Sequence, residues 1–294
     1  MVKIMEYKFR ITVFTPTYNR AYIIENLYTS LQNQTFSDFE WLIVDDGSSD
    51  NTEEQIKLWQ EQNNKFPIIY QKQKNGGKCK AINTGLDLAN GKLFFTVDSD
   101  DYLTNDALEK INNWELELPK TAKYCGVAGN LGISATQTPN KLLDNEVYDG
   151  TLLDRYSVVE GERAIAIYTE VHKKYKYPCF ENEKFMTEAV AWNRMAHDGY
   201  RMQFHNDIIW IYEYKEDGLT KAGNTLFVNN PKGYGLWLKE KSIFEHSNLF
   251  EMLKLYYTFT CELSNKYSAK QIASYIQTNT VLIKFMQIIH KFIS

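Results

Sequence analysis

Three aspartates, Asp98, Asp100 and Asp101, crowd around Ser99 at the end of the apolar run "FFTV". Carboxylates this close repel one another unless a cation or several hydrogen-bond donors neutralise them. A hard divalent ion such as Mg²⁺ or Mn²⁺ takes oxygen ligands, and one or two carboxylates plus substrate phosphates commonly hold it. In an extended segment, side chains two apart share a side, so Asp98 and Asp100 can converge on one ion. The competing account has these acids cap the following helix, "TNDALEKINNW", and face water. A lone D-x-D does not decide between the two.

Two further stretches carry related chemistry. "VDDGSSD" places Asp45 and Asp46 at the end of another apolar run, where a carboxylate suits hydrogen bonding to a base or ribose. "NGGKCKAIN" sets Gly76 and Gly77 before Lys78, which allows close backbone approach and puts a cation near a helix start, both favourable to an anion. Farther on, Glu188, Trp192 and Met195 share one face of a helix read over "EKFMTEAVAWNRMAHDGY", closed by Gly199 as a left-handed cap. An acid on an apolar stripe is costly to bury without a partner or a function. An ion pair with Arg194 or Lys184 is the structural alternative. The five histidines show no metal-binding spacing.

These residues need elements to hold them. "RITVFTPTYN", "FEWLIVDDGSSD", "FPIIYQKQ" and "KLFFTV" read as strands, and "AYIIENLYTSLQNQT", "NTEEQIKLWQEQNN" and "CKAINTGLDLA" as the helices between them, the last closed by Gly91. Ser49 or Asp50 suits the N-cap of the second helix. Such alternation predicts a largely parallel sheet with helices on both faces, and ligands in such sheets bind beyond the carboxyl ends of the strands. Three of the four runs end there in polar or acidic residues. "GVAGNLGISAT" and "ERAIAIYTEV" read as further strands, "MQFHNDIIWIYEYKEDG" as one or two, and residues 226–294 as mainly helical.

Bulk composition narrows the function. The 294 residues are 44% hydrophobic and 24% charged, an ordinary globular balance. A net charge of -4 and a pI near 5.8 argue against nonspecific binding to nucleic acid. Cys79, Cys125, Cys179 and Cys261 lie too far apart for a disulfide framework or a zinc cluster, and read as reduced thiols. "MVKIMEYKFR" lacks a signal-peptide core, and no window reaches the roughly 18 to 20 apolar residues of a spanning helix. A cytoplasmic protein is expected.

In order, "TPTYNR", "VDDGSSD", "NGGKCKAINTGL" and "VDSDD" closely resemble the inverting family 2 glycosyltransferases of bacterial surface-polysaccharide synthesis. That resemblance implies the GT-A fold, a Rossmann-like α/β architecture. It divides the chain into a nucleotide-sugar-binding half over 1–115, an acceptor-binding half over 116–225 and a helical extension over 226–294. It implies transfer of a sugar from a UDP-sugar to a hydroxyl of a glycan or polyprenyl-linked glycan, with Mn²⁺ or Mg²⁺ as cofactor. Thr15, Pro16, Tyr18 and Asp46 then hold the nucleoside, with Asp45 structural, while Asn75, Gly77, Lys78, Asn83, Asp98 and Ser99 lie along the nucleotide-sugar. Asp100 binds the metal, with Asp98 beside it near the ribose.

Glu188 falls to the catalytic base, although Thr187-Glu188 stands where the family more often has Glu-Asp. Glu183 and Glu181 are the next candidates, and Lys215 in "YEYKEDGLT" is a candidate to close over the diphosphate. Two other classes stay open: a scaffold subunit that binds sugar nucleotide without turnover, and a D-x-D phosphohydrolase. At the C-terminus, Leu282, Phe285, Met286, Ile289 and Ile293 form an apolar stripe. Docking on the domain or self-association is the favoured reading, and peripheral contact with the inner face of a membrane is the other.

Overall fold

The computed structural model describes residues 6–213 and 223–293. Its first third alternates strand and helix: β1 (Phe9–Thr17), α1 (Ile24–Gln32), β2 (Phe39–Asp45), α2 (Thr52–Gln60), β3 (Ile68–Lys72), α3 (Lys78–Leu88) and β4 (Gly91–Thr96). The four strands run parallel in the order β3-β2-β1-β4. Alternation along each strand splits the core between the two faces. Val13, Trp41, Ile43 and Phe95 pack on one side with Ile24, Leu27 and Ile56. Their neighbours Phe14, Leu42, Val44 and Phe94 pack on the other with Ala81, Ile82 and Leu86 of α3. Each such large side chain, fully buried, contributes about 1.5–3 kcal/mol. Because both faces are covered, β2 is buried throughout its length.

The sheet continues through the second stretch of chain: β5 (Tyr102–Leu103), α4 (Ala107–Glu117), β6 (Tyr124–Gly132), β7 (Val147–Gly150), β8 (Arg163–Tyr168), α5 (Thr169–Lys174), α6 (Ala189–His197) and β9 (Arg201–Ile211). β8 inserts antiparallel between β4 and β6, β9 runs parallel to β6, and β5 and β7 pair antiparallel with β9. Among the described residues nine strands thus form one sheet. Helices α7 (Asn224–Asn229), α8 (Pro231–Phe244), α9 (Leu249–Leu263), α10 (Ala269–Tyr275) and α11 (Thr280–Ile293) follow, with a core of their own around Tyr234, Phe259, Ile276 and Ile283.

Several expectations change. Gly91 opens β4 rather than closing α3, and a Cβ there would lie 2.2 Å from the amide of Thr12, so the position serves strand packing. The helix read from Glu183 starts only at Ala189, while "TEV" after β8 turns helical. Asp101 caps nothing: α4 begins at Ala107, and the Asp101 carboxylate accepts a hydrogen bond from the Trp210 indole at 2.8 Å. In the tail, Ile283 and Met286 face inward while Phe285 points out, so the apolar stripe is split between two faces.

Candidate active site

The carboxyl ends of β1, β2 and β4 meet at one edge. The amide of Asp46 donates to the Thr17 carbonyl at 2.8 Å and that of Val97 to the Phe14 carbonyl at 2.8 Å, so the three strand ends are laced together. Beyond β2 the two acids do different work. Asp45 is fully buried and accepts from the Ser48 amide at 2.7 Å and the Tyr70 hydroxyl at 2.6 Å. Asp46 accepts from the amides of Gly76 and Gly77 at 2.8 and 2.7 Å and from the Gln73 side chain at 2.7 Å. Charge-assisted bonds of this kind are roughly twice as strong as neutral ones. Asp46 therefore fastens the glycine loop to the sheet edge.

That loop is held from the other side as well. Gly77 has φ +91, and a Cβ added to it would lie 1.7 Å from the carbonyl oxygen of Lys184. Only glycine permits both the left-handed backbone and this approach. The contact seats the start of α3 against segment 183–188 and directs Lys78, its first residue, between the two halves of the sheet. The Lys78 ammonium lies 2.7 Å from Asp98 Oδ1 and 2.9 Å from Glu188 Oε1. Burial works against the charged amine, but the two carboxylates prevail and hold it well above the ordinary lysine value.

The remaining acids are strained electrostatically. Burial, then the charge of Asp98, raises the Asp100 carboxyl above its usual range. The same two causes push Asp101 up to about 8, against the lowering effect of the Trp210 hydrogen bond. Lys78 pairs with Asp98 and Glu188, the charge of Arg20 also acts on Asp100, and a divalent cation would relieve the acids further. Among the described residues no three acids, histidines or cysteines form a ready-made metal cage. A site completed by diphosphate and water needs only one or two protein carboxylates. The oxygen donors of Asp98 and Asp100 fit that case.

Glu188 is the residue before α6, and its partner is Lys78 rather than Arg194 or Lys184. Arg194 instead grips Glu240 of α8 with two bonds of 2.9 and 2.6 Å. Glu183 caps α8, accepting from the amides of Lys232 and Gly233 at 2.9 Å each, and Glu181 is exposed. Lys215 lies outside the described residues.

Two of the residues expected at the nucleotide are engaged within the protein. Thr15 is fully buried and its hydroxyl accepts from the Trp41 indole at 3.0 Å, on the core side of β1. Asn83 spends its side chain on Tyr177, with bonds of 2.8 and 2.9 Å to that residue's backbone. Pro16, the exposed Tyr18 and the buried Ser99 lie at the strand ends, and Asn75 packs against Gly47. Two features escaped the sequence reading. Thr17 is buried with its hydroxyl unpartnered, and the alternation of β1 places it on the same side as Thr15 yet at the very end of the strand. Arg155 donates to Asn193 at 2.8 Å and lies 5.1 Å from the ring of Trp192, one turn after Glu188. A surface hollow of about 350 Å³ near Phe66 lies at the opposite edge of the sheet and contains no acid, so the chemistry stays with the acid-rich edge.

Residues 12–157, which span the strand ends and the D-x-D, match the family described as Glycosyl transferase family 2. The chain belongs to this family. Curated relatives include the glycosyltransferase GlyA of Streptococcus pneumoniae, 27% identical over 72% of this chain and 32% of the relative. Another is the GalNAc(5)-diNAcBac-PP-undecaprenol beta-1,3-glucosyltransferase of Campylobacter jejuni, 34% identical over 35% of this chain and 33% of the relative. The family member described here therefore spans about a third of the length of the curated relatives it matches. Among solved structures, S. aureus TarS 1-349 in complex with UDP-GlcNAc superposes with a TM-score of 0.62 at 17% identity, over 96% of this chain and 91% of that one. The mannosyltransferase PcManGT from Pyrobaculum calidifontis, in complex with GDP-Man and Mn²⁺, gives 0.56 at 16% identity, over 96% and 87%. At these identities the likeness carries the fold, and the fold is GT-A.

Proposed function

We propose that this chain is an inverting glycosyltransferase of polysaccharide synthesis, moving a sugar from a nucleoside-diphosphate donor, UDP-linked in the first instance, to a hydroxyl of a glycan or lipid-linked glycan. The observation that carries this reading is the Lys78 bridge. It sets an acid from the second stretch of chain, Glu188 before α6, against the D-x-D beyond β4, at the spacing of an ion pair. A nucleoside fits beyond β1 and β2, beside Tyr18 and the unpartnered hydroxyl of Thr17, with Asp46 acting through the glycine loop. Asp100, with Asp98, would hold a divalent ion, which when bound offsets charge on the diphosphate.

In the reaction Glu188 accepts the acceptor hydroxyl's proton while that oxygen bonds to the anomeric carbon. The bond from that carbon to the diphosphate oxygen breaks on the opposite side, and the electron pair leaves with the nucleotide. Base catalysis of this kind contributes typically 10²–10⁴ in rate. Lys78 stands where diphosphate oxygens can replace Asp98 and Glu188 as its partners, which would free Glu188 as the donor docks. Trp192 and Arg155 border the acceptor side. The relatives' names favour a lipid-linked acceptor, since one of them names a PP-undecaprenol glycan. No described helix is long and apolar enough to cross a membrane. Peripheral contact at the cytoplasmic face is part of this proposal.

The test is Glu188→Gln. UDP binding persists in the variant and transfer from UDP-sugar falls by at least about 10²-fold. Near-normal turnover would move the base elsewhere, while UDP binding without transfer in the unaltered protein, across a panel of acceptors, would make it a scaffold subunit.

A further inference from the structure

Helix α11 is amphipathic twice over. Its inner face, Ile283 and Met286, is buried against α9 and α10, and Gln287 donates to Ser264 at 3.0 Å. Its outer face is also apolar: Val281, Phe285, Ile288 and Phe292 are 72%, 59%, 54% and 86% exposed. At 3.6 residues per turn these four fall within an arc of roughly 60°. Docking on the domain, which the inner face accomplishes, leaves that second stripe unexplained. Contiguous exposed apolar surface of this size marks an interaction site.

Charge decides what covers it. The chain as a whole carries a net charge of -4, yet residues 263–294 contain no Asp or Glu and four lysines, Lys266, Lys270, Lys284 and Lys291. Lys284 and Lys291 are exposed on α11 itself, along one border of the stripe. Self-pairing through this face would set lysine against lysine, with no acid on α11 itself to offset them. We infer that the outer face of α11 lies on an anionic lipid surface, its phenylalanines and isoleucine among the acyl chains and its lysines at the headgroups.

The surface stands on α11 alone, so its test is separable from donor binding, which is measured alongside. Full-length protein is floated with vesicles of phosphatidylcholine alone and of phosphatidylcholine with phosphatidylglycerol. It is expected to float with the anionic vesicles and much less with the neutral ones, and to be released by salt. Lys284→Glu with Lys291→Glu weakens partitioning on the order of tenfold or more. Phe285→Ser with Phe292→Ser abolishes it, while the melting transition and UDP affinity are unchanged because all four side chains are exposed. Failure of the unaltered protein to float with either vesicle overturns the inference. So does a dimer by light scattering, without flotation, that the phenylalanine substitutions dissolve, which would assign the face to a second copy.

Discussion

Gly77→Ala tests whether the glycine loop is as tightly held as its geometry says. The new Cβ would start 1.7 Å from the Lys184 carbonyl oxygen, against an ordinary contact near 3.5 Å, so about 1.8 Å must be found. The opposing atom belongs to the backbone, and the φ of +91 adds about 1–2 kcal/mol for a residue with a side chain. Overpacking contributes about 1–3 kcal/mol more. The sum, about 2–5 kcal/mol, is read by urea denaturation. Two internal controls separate its parts. Gly199→Ala has the left-handed backbone, φ +80, with nothing within 4 Å, and isolates the conformational share. Gly76→Ala meets only the flexible Lys80 side chain, whose Cδ lies 2.4 Å away, and has little effect. Because Gly77 also carries Lys78 and an Asp46 bond, a shift of about 1 Å there lowers transfer on the order of 10²-fold. A Gly77→Ala protein no less stable than Gly199→Ala, with unchanged UDP affinity, would refute the reasoning.

Three other outcomes follow from the same structure. Burial drives the His172 pKa down to about 3, so between about 3 and 6.5 the unfolded chain binds a proton that the folded one does not. Stability therefore falls as pH drops through that window, by up to about 1.4 kcal/mol per pH unit, with His205, lowered to about 4, adding to it. Denaturation of His172→Gln at pH 4.5, 6 and 7.5 should show a shallower acid slope, and an unchanged slope would count against this origin. Glu183→Ala removes the cap on α8 and lowers stability by about 1–2 kcal/mol while turnover survives. If turnover collapses with UDP binding intact, Glu183 rather than Glu188 is the base. Asp100→Asn should abolish the Mn²⁺ dependence of UDP affinity, and a variant that keeps it would take Asp100 out of the metal site.

The first four strands were readable because each holds a short apolar run, three of them ended by polar or acidic residues, and parallel strands such as β1, β2 and β4, covered on both faces, leave that pattern. The second half hid more. Its β5 has two residues and β7 four, too few to show a period, and the insertion of β8 between β4 and β6 depends on packing between distant segments. Within the site, the D-x-D and the glycine loop were legible as local patterns. The pairing of Lys78 with Glu188 was not, since residues 110 apart meet only through the fold. Thr15 and Asn83 show the reverse case. Their types suit a nucleotide, but burial beneath Trp41 and attachment to the Tyr177 backbone give them structural work. In the tail a strongly apolar helix presents two apolar faces that look like one stripe in the sequence, and only its neighbours show which is covered.

The central claim is a metal-assisted nucleotide site at the ends of β1, β2 and β4, and calorimetric titration of UDP with and without Mn²⁺ tests it most directly. The account predicts tight binding with Mn²⁺, and weak or no binding without it. No binding in either condition would contradict it, and would return Asp98 and Asp100 to the role of solvated acids at a sheet edge.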